Sequence, residues 1–330
     1  MNSTVQTLTP IIEPNACKVA RPDLLETQGF AHWQATLTLH LKKTARGTVV
    51  KHSLHKGPLY IQKAFYPEGR DLAHIYILHP PGGLVSGDNL QINVTAQAEA
   101  RVLLTTPGAG RVYKARADKS LQQQKVTLIA HQNASIEWLP LETILYPNAN
   151  TRLDTLVKLE KNSTFIGWDI CSLGLPACNQ TFEQGNLQQC LQIEVAGKIS
   201  LRERVILNDT NRQMFTQAIG FANRSVNALL VAGPFLDETE QVTDTGCAEN
   251  LLDKLIDELR QHCELTSNSL VNQASDQLPL CSVTLAGEFL LIRYLGDDCE
   301  QARNLFTRCW QDIRPKLLGL AACAPRIWAT

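Results

Sequence analysis

The sequence lacks most of the features that would give away a chemistry. A membrane-spanning helix needs roughly 20 consecutive apolar residues, and the longest unbroken apolar runs here, residues 228–232 and 320–324, are far shorter. The formal net charge is −1, so there is no global attraction to nucleic acid or to an anionic membrane. Ten cysteines contain no CxxC pair. Cys171, Cys178 and Cys190 follow no common zinc spacing, and no HxH, HExxH or Cys/His cluster occurs. No serine stands in a GxSxG elbow. The opening MNSTVQTLTPIIEPNACK has no basic start leading into an apolar segment, so no signal peptide is expected. Together with reduced, apolar use of cysteine, this predicts a cytoplasmic protein.

Alternating apolar and polar residues fill the first two thirds of the chain. Ile92, Val94, Ala96 and Ala98 alternate with polar neighbours, as do Leu191, Ile193 and Val195, and Ile199, Leu201, Val205 and Leu207 flank an Arg-Glu-Arg stretch. Turn signals separate such runs: Pro107-Gly108, Asn133, Pro147-Asn148, Asn162-Ser163, Gly185-Asn186, Gly197. More than ten short strands without helical patterns between them argue against βαβ units and for a mainly β sandwich, barrel or solenoid. No fixed-period repeat is visible.

Helical periodicity arrives late. In residues 247–263, Leu251, Leu252, Leu255, Ile256 and Leu259 make one apolar stripe; in 298–314, Ala302, Leu305, Phe306, Cys309, Trp310 and Ile313 do the same. Asp297 with Glu300 resembles a capping box, and Pro315 predicts the helix end. Strands are expected between them, at residues 281–285 and 290–295. The chain reads as one domain, 1–330, with two helices added to a β body.

Two glycine-rich stretches and one carboxylate pair invite functional readings. In HPPGGLVSGDNL, residues 79–90, Gly82 and Gly87 have P-loop separation, but Asp88 stands in place of the lysine and Asn89 in place of the hydroxyl residue. The stretch reads instead as a rigid turn: prolines fix φ, Gly82, Gly83 and Gly87 permit positive φ, and Asp88 caps. In TTPGAGRVYKA, residues 105–115, Tyr113 replaces the third glycine of a GxGxxG, and Arg111, Lys114 and Arg116 form a small basic patch. Glu137 and Glu142 bracket Trp138-Leu139-Pro140; they either meet across a turn for acid/base work or divide between solvent and a cap. The residues alone favour a binding or scaffold role over an enzyme. A polysaccharide-acting β-helix enzyme and an anion-binding module stay open as alternatives.

Several blocks together resemble the urease accessory protein UreD (UreH) family. They are GPLYIQKAFYPEG (57–69), HPPGGLVSGDNL, LLTTPGAGRVYKA, IEWLPLETILYPNA (136–149), GWDICSLG (167–174) and PRIWAT (325–330). Family-motif positions include Pro81, Gly82, Gly83, Gly87, Asp88, Thr105, Thr106, Tyr113, Leu139 and Pro140. The chain departs from the family habit at Ser86, Leu141, Leu175 and Asn179-Gln180. The resemblance implies a right-handed, β-helix-like stack of strands with two helices. It implies a non-enzymatic scaffold in urease maturation that binds apo-urease, UreF and the GTPase UreG, with no stably bound cofactor and nickel in transit through a water-filled passage. Passage candidates on that reading are Asp88, Glu137, Glu142, Glu183, Ser86 and His79. Arg326 and Trp328, residue types enriched at interface hot spots, are partner-contact candidates or pack the chain end onto the body.

Overall fold

A computed structural model describes residues 33–235, 251–268 and 277–329. The chain opens a first sheet with the hairpin β1 (Gln34–Thr44) and β2 (Gly47–Lys56), then starts a second with β3 (Tyr60–Phe65) and β4 (Leu72–Leu78). From there it alternates. It returns to the first sheet as β5 (Asn89–Ala96), to the second as β6 (Arg101–Thr105), and passes the short β7 (Gly110–Val112). The next circuit is β8 (Gln122–Ala130), β9 (Ser135–Trp138) and the short β10 (Thr143–Leu145); a third is β11 (Asn150–Leu159), β12 (Thr164–Leu175) and β13 (Gln180–Thr181). The hairpin β14 (Asn186–Val195) and β15 (Lys198–Leu207) closes the first sheet. The second ends with β16 (Val226–Gly233), helix α1 (Leu251–Asn268), the hairpin β17 (Leu280–Ala286) and β18 (Phe289–Gly296), and helix α2 (Cys299–Leu318).

The architecture is mainly β with two late helices, as read from the periodicity. The centres of both sheets are parallel: β1, β5, β8, β11 and β14 in one, β4, β6, β9 and β12 in the other. The parallel neighbours in each sheet are linked through the opposite sheet, with no crossover helix among the described residues. Parallel register stacks like on like. Leu39, Val94, Leu128, Val157 and Ile193 form one aliphatic row across the first sheet, and all five are buried against the second. At roughly 1.5–3 kcal/mol for each large apolar side chain, such rows explain why five strands of modest length hold together.

The helices cover the outer face of the second sheet. Ile166, Trp168 and Ile170 of β12 point outward to meet Leu305, Phe306, Cys309 and Trp310 of α2, so β12 is buried on both faces. All six residues of the predicted α2 stripe are buried. On α1, Leu255, Ile256 and Leu259 are buried, but Leu251 is exposed at the described start of the helix. Three boundary expectations need correction. Helix α1 runs on to Asn268, past 263, while 247–250 lie outside the described residues. Helix α2 passes Pro315, which forgoes its own bond to the carbonyl of residue 311, and ends at Leu318, where Gly319, in the left-handed region at φ 65°, supplies the stop by donating its N–H to Pro315 O. The N-cap is Asp298, whose carboxylate accepts from Glu300 N and Gln301 N. Asp297 instead accepts from the backbone N–H and the hydroxyl of Ser225.

Candidate functional site

HPPGGLVSGDNL is the turn that carries the chain from β4 to β5. Asp88 Oδ2 accepts from Val85 N at 2.9 Å, and Ser86 Oγ accepts from Arg116 N at 2.7 Å. Leu84 N donates to Arg111 O and Tyr113 N to Leu84 O, locking the loop onto residues 111–113. The buried Gln122 amide donates to Leu84 O and Tyr113 O and accepts from Asn150 N, tying three successive circuits together. Gly82 and Gly87 take positive φ, as expected. Gly83 does not; it is needed for close approach, since a Cβ there would lie 2.6 Å from the Tyr113 ring and 2.8 Å from Arg111 O. Gly83→Ala is therefore expected to cost about 1–3 kcal/mol through overpacking. Gly108→Ala, where nothing lies within 4 Å, is expected near neutral. Urea-unfolding midpoints of the two variants check the contrast.

Glu137 and Glu142 do not form a catalytic pair. Each is held by a different arginine of α2: Glu142 by Arg303 at 3.2 Å, Glu137 by Arg314 at 3.0 Å. Those arginines are eleven positions apart, about 16 Å along a helix. Glu137 is fully buried and also accepts from the Trp310 indole at 2.7 Å. Arg314, equally buried, reaches Glu68 at 2.6 and 2.8 Å and donates to Ala321 O. His74 Nε2 meets Glu68 at 2.7 Å. Burial pushes the Glu137 carboxyl up, against the pull of Arg314 and Trp310. Burial acts the same way on Glu68, but hydrogen bonds and charge from Arg314 and His74 outweigh it and hold that carboxyl low. Burial lowers the His74 imidazole in spite of Glu68. This network clamps sheet, helix and chain end together; its acids and bases are already spent on one another.

The polar space lies between the two sheets. Moving toward the strand starts of the first sheet, the aliphatic row gives way to one containing Thr155, and the next places Gln124 and Gln189 in register with Ala35, Leu90 and Leu153. On the facing side of β12, the inward series Phe165, Gly167, Asp169, Cys171 puts a carboxylate into the interior. The result is a cavity of about 80 Å³ lined by Thr106, Gln124, Asp154, Thr155, Asp169 and Gln189, among others. A second cavity, about 70 Å³, is lined by Asp169, Gln189, Glu203, Asn227 and Arg293, among others. Asp169 and Gln189 border both. Among the described residues the Asp169 carboxylate has no hydrogen-bond or ion-pair partner, and burial pushes it up to about 6. The Trp138 indole N–H and Gln189 Oε1, also in the lining of the larger cavity, are buried without a protein partner. Orphaned donors and acceptors around a space of this size suit water or a hydrated ion.

The six passage candidates are thus scattered. Asp88 and Ser86 are engaged within the turn, Glu137 and Glu142 by α2, and Glu183 is exposed beside Thr181, whose hydroxyl it accepts. His79 is half-buried, its imidazole lowered by burial with Asp88 pulling the other way. None of the six lines either inter-sheet cavity. The family-motif residues form a web instead. Thr105 Oγ1 donates to Leu139 O, Leu141 N donates to Thr106 Oγ1, and the Trp168 indole donates to Pro140 O. Trp328 packs on the body, donating to Thr105 Oγ1 with its ring 5.6 Å from Trp168 and 5.9 Å from Trp310; Arg326 stays exposed. The eight described cysteines are free thiols. Among the described residues no three His, Cys, Asp or Glu side chains group as metal ligands, and no helix is long and apolar enough to cross a membrane.

Comparison with known proteins agrees along nearly the whole chain. The family model described as UreD urease accessory protein matches residues 34–329. A urease accessory protein UreD of Marinomonas sp. (strain MWYL1) is 47% identical over 310 residues, 94% of each chain. Its counterpart in Psychromonas ingrahamii is 36% identical, covering 90% of this chain and 94% of its own. That of Hahella chejuensis is 35% identical over 92% of both. A match across all the strands, the turn and the interhelical hairpin is too extensive to reflect a shared fragment: the chain belongs to the UreD urease accessory protein family.

Proposed function

We propose that this protein is a non-enzymatic scaffold of urease maturation, acting in the cytoplasm. It binds apo-urease together with UreF and UreG and supports GTP-dependent insertion of nickel, with UreG supplying the GTP hydrolysis. The observation that carries this reading is the family match over residues 34–329, at 47% identity to a urease accessory protein UreD. The alternating path between two parallel sheets supports a right-handed, β-helix-like winding, the usual hand of parallel connections.

The cavities around Asp169 support the finer reading of a route for nickel. A conduit must not hold its cargo tightly, and tight nitrogen or thiolate ligation would trap a late transition metal. One carboxylate among amides and hydroxyls, facing a space large enough for water, provides attraction without a closed ligand set. In this reading Asp169 and Gln189 take the place of the six residues picked from the sequence. The test is co-expression of the chain with UreF and UreG from the same source, with and without apo-urease, followed by pull-down and urease assay. A complex that activates urease only when this chain is present is the expected result; absence of association with both UreF and urease overturns the scaffold reading.

A further inference from the structure

Charge is spread unevenly along the chain. Residues 27–67 hold six of the 31 lysines and arginines and none of the 32 carboxylates, so the rest carries 25 against 32, a net −7. Most of that basic stretch folds into the hairpin β1–β2, at one edge of the first sheet. The register sets Thr36, Thr38 and His40 of β1 opposite Lys56, Leu54 and His52 of β2, on the face turned away from the buried Leu37, Leu39 and Leu41. Lys51 is the extra residue where the register shifts, between Val50, paired with Leu41, and His52, paired with His40. An open recess of about 270 Å³ lies among His40, Lys42, Lys51, His52 and Gln97. Lys42, Arg46, Lys51, His52 and Lys56 are exposed, and Leu54 among them is 67% exposed. Among the described residues, Lys42, Arg46, Lys51 and Lys56 have no ion-pair partner. The next carboxylates along the chain are taken: Glu68 by His74 and Arg314, Asp71 by Lys43.

We infer that the outer face of β1–β2 is a docking surface for an acidic protein segment, one that brings carboxylates together with an apolar side chain. The rival is a guard: lysines and a bulge on an edge strand prevent sheet-to-sheet pairing. A guard needs charge, but not charge of one sign. The opposite edge of the same sheet shows this, since Lys198, Arg202 and Arg204 share the β14–β15 hairpin with Glu194 and Glu203. The β1–β2 hairpin has one sign only, the arrangement that steers a partner of opposite charge. Two features select a protein over a nucleic acid or a membrane. The net −7 of the remaining chain repels a long polyanion or an extended anionic surface. A short segment seated on the hairpin stays within about 8 Å of its cations, the screening length at physiological ionic strength. Leu54, between His52 and Lys56 on the same face, supplies an apolar point inside a polar rim, as protein interfaces do. Phosphate backbones use cations and hydrogen-bond donors and leave such a residue wet. The recess between Lys42 and Lys51 receives one carboxylate in charge-assisted hydrogen bonds.

This inference does not rest on the urease reading, and its test uses none of that machinery. The probes are two fluorescein-labelled peptides, one of ten glutamates and one with leucine in place of a central glutamate. Each is titrated with the full chain and followed by fluorescence anisotropy, at about 0.1 M salt, where screening acts over about 10 Å. Both are expected to bind, more weakly as salt rises, and the leucine peptide a few-fold more tightly. Lys42→Glu with Lys51→Glu is expected to weaken both at least about tenfold, since each reversal turns a few-fold attraction into repulsion. Lys198→Glu with Arg202→Glu makes the same change in net charge on the opposite edge, six strand spacings or about 29 Å away. It is expected to shift affinity less than about twofold. Leu54→Ser is expected to erase the preference for the leucine peptide. All five substituted side chains are exposed, and unchanged urea midpoints show that the variants fold. Failure of both peptides to bind, equal losses from the two double variants, or a leucine preference that survives Leu54→Ser overturns the inference. Tighter binding of a ten-nucleotide oligothymidylate, or of phosphatidylserine vesicles, than of either peptide also overturns it and assigns the face to nucleic acid or to a membrane.

Discussion

Asp169→Asn is expected to make the protein more stable and less able to activate urease. Burial pushes the Asp169 carboxyl from an ordinary 3.8 up to about 6, so above that pH the fold holds an ionised group it disfavours. A two-unit shift corresponds to about 3 kcal/mol, and water in the cavities lowers that figure, so a gain of about 1–3 kcal/mol is expected for the neutral amide. The sign fixes the pH window. Below about pH 4 the carboxyl is neutral in both folded and unfolded chains, and the two proteins should be equally stable. The gap opens as pH rises from about 4 to 6, where the wild type loses stability, and is complete above 6. Urea unfolding across this range measures it. Activation moves the other way if Asp169 attracts nickel: loss of the charge removes a contact worth at least about 1.4 kcal/mol, or tenfold, and Asp169→Glu should recover part of it. A stabilised variant that activates urease normally would separate the cavities from function.

Asp169 also marks where the sequence could be read and where it could not. The strands announced themselves because one face of each is buried, which imposes a two-residue period; the stripe on α2 did the same with a period of 3.6. The signal for the polar cavity was present in the same pattern. In GWDICSLG, Asp169 has the phase of Phe165 and Cys171, the inward phase, and Gln124 and Gln189 hold that phase in β8 and β14. A polar residue on the buried phase is the informative exception, whereas Asp88 drew notice by its setting in a glycine turn and proved to be a cap. The path between sheets was less legible: parallel strands without crossover helices share the local pattern of antiparallel ones, and only the pairing distinguishes them. Least legible was the clamp on Glu137, whose partner Arg314 lies 177 positions away and sits directly after a helical stripe that reads as wholly apolar.

That clamp carries the largest stability effect expected in the molecule. Arg314→Met keeps helix propensity and most of the side-chain volume, but it leaves Glu68 and Glu137 without their shared cation and the Trp310 indole with a carboxylate that has lost its main partner. Removing one side of a buried ion pair costs about 3–5 kcal/mol, a large fraction of the stability of a typical domain. The expected result is a sharp fall in soluble yield and in the urea midpoint. Arg314→Lys should rescue little, because a single ammonium cannot serve two carboxylates and a carbonyl as the guanidinium fork does. A double variant, Arg314→Met with Glu137→Gln, should lose less than the sum of its parts, since removing the second charge relieves the first loss. Additive losses would mean that the two side chains act separately, and that the clamp is not the unit that holds α2 to the sheet.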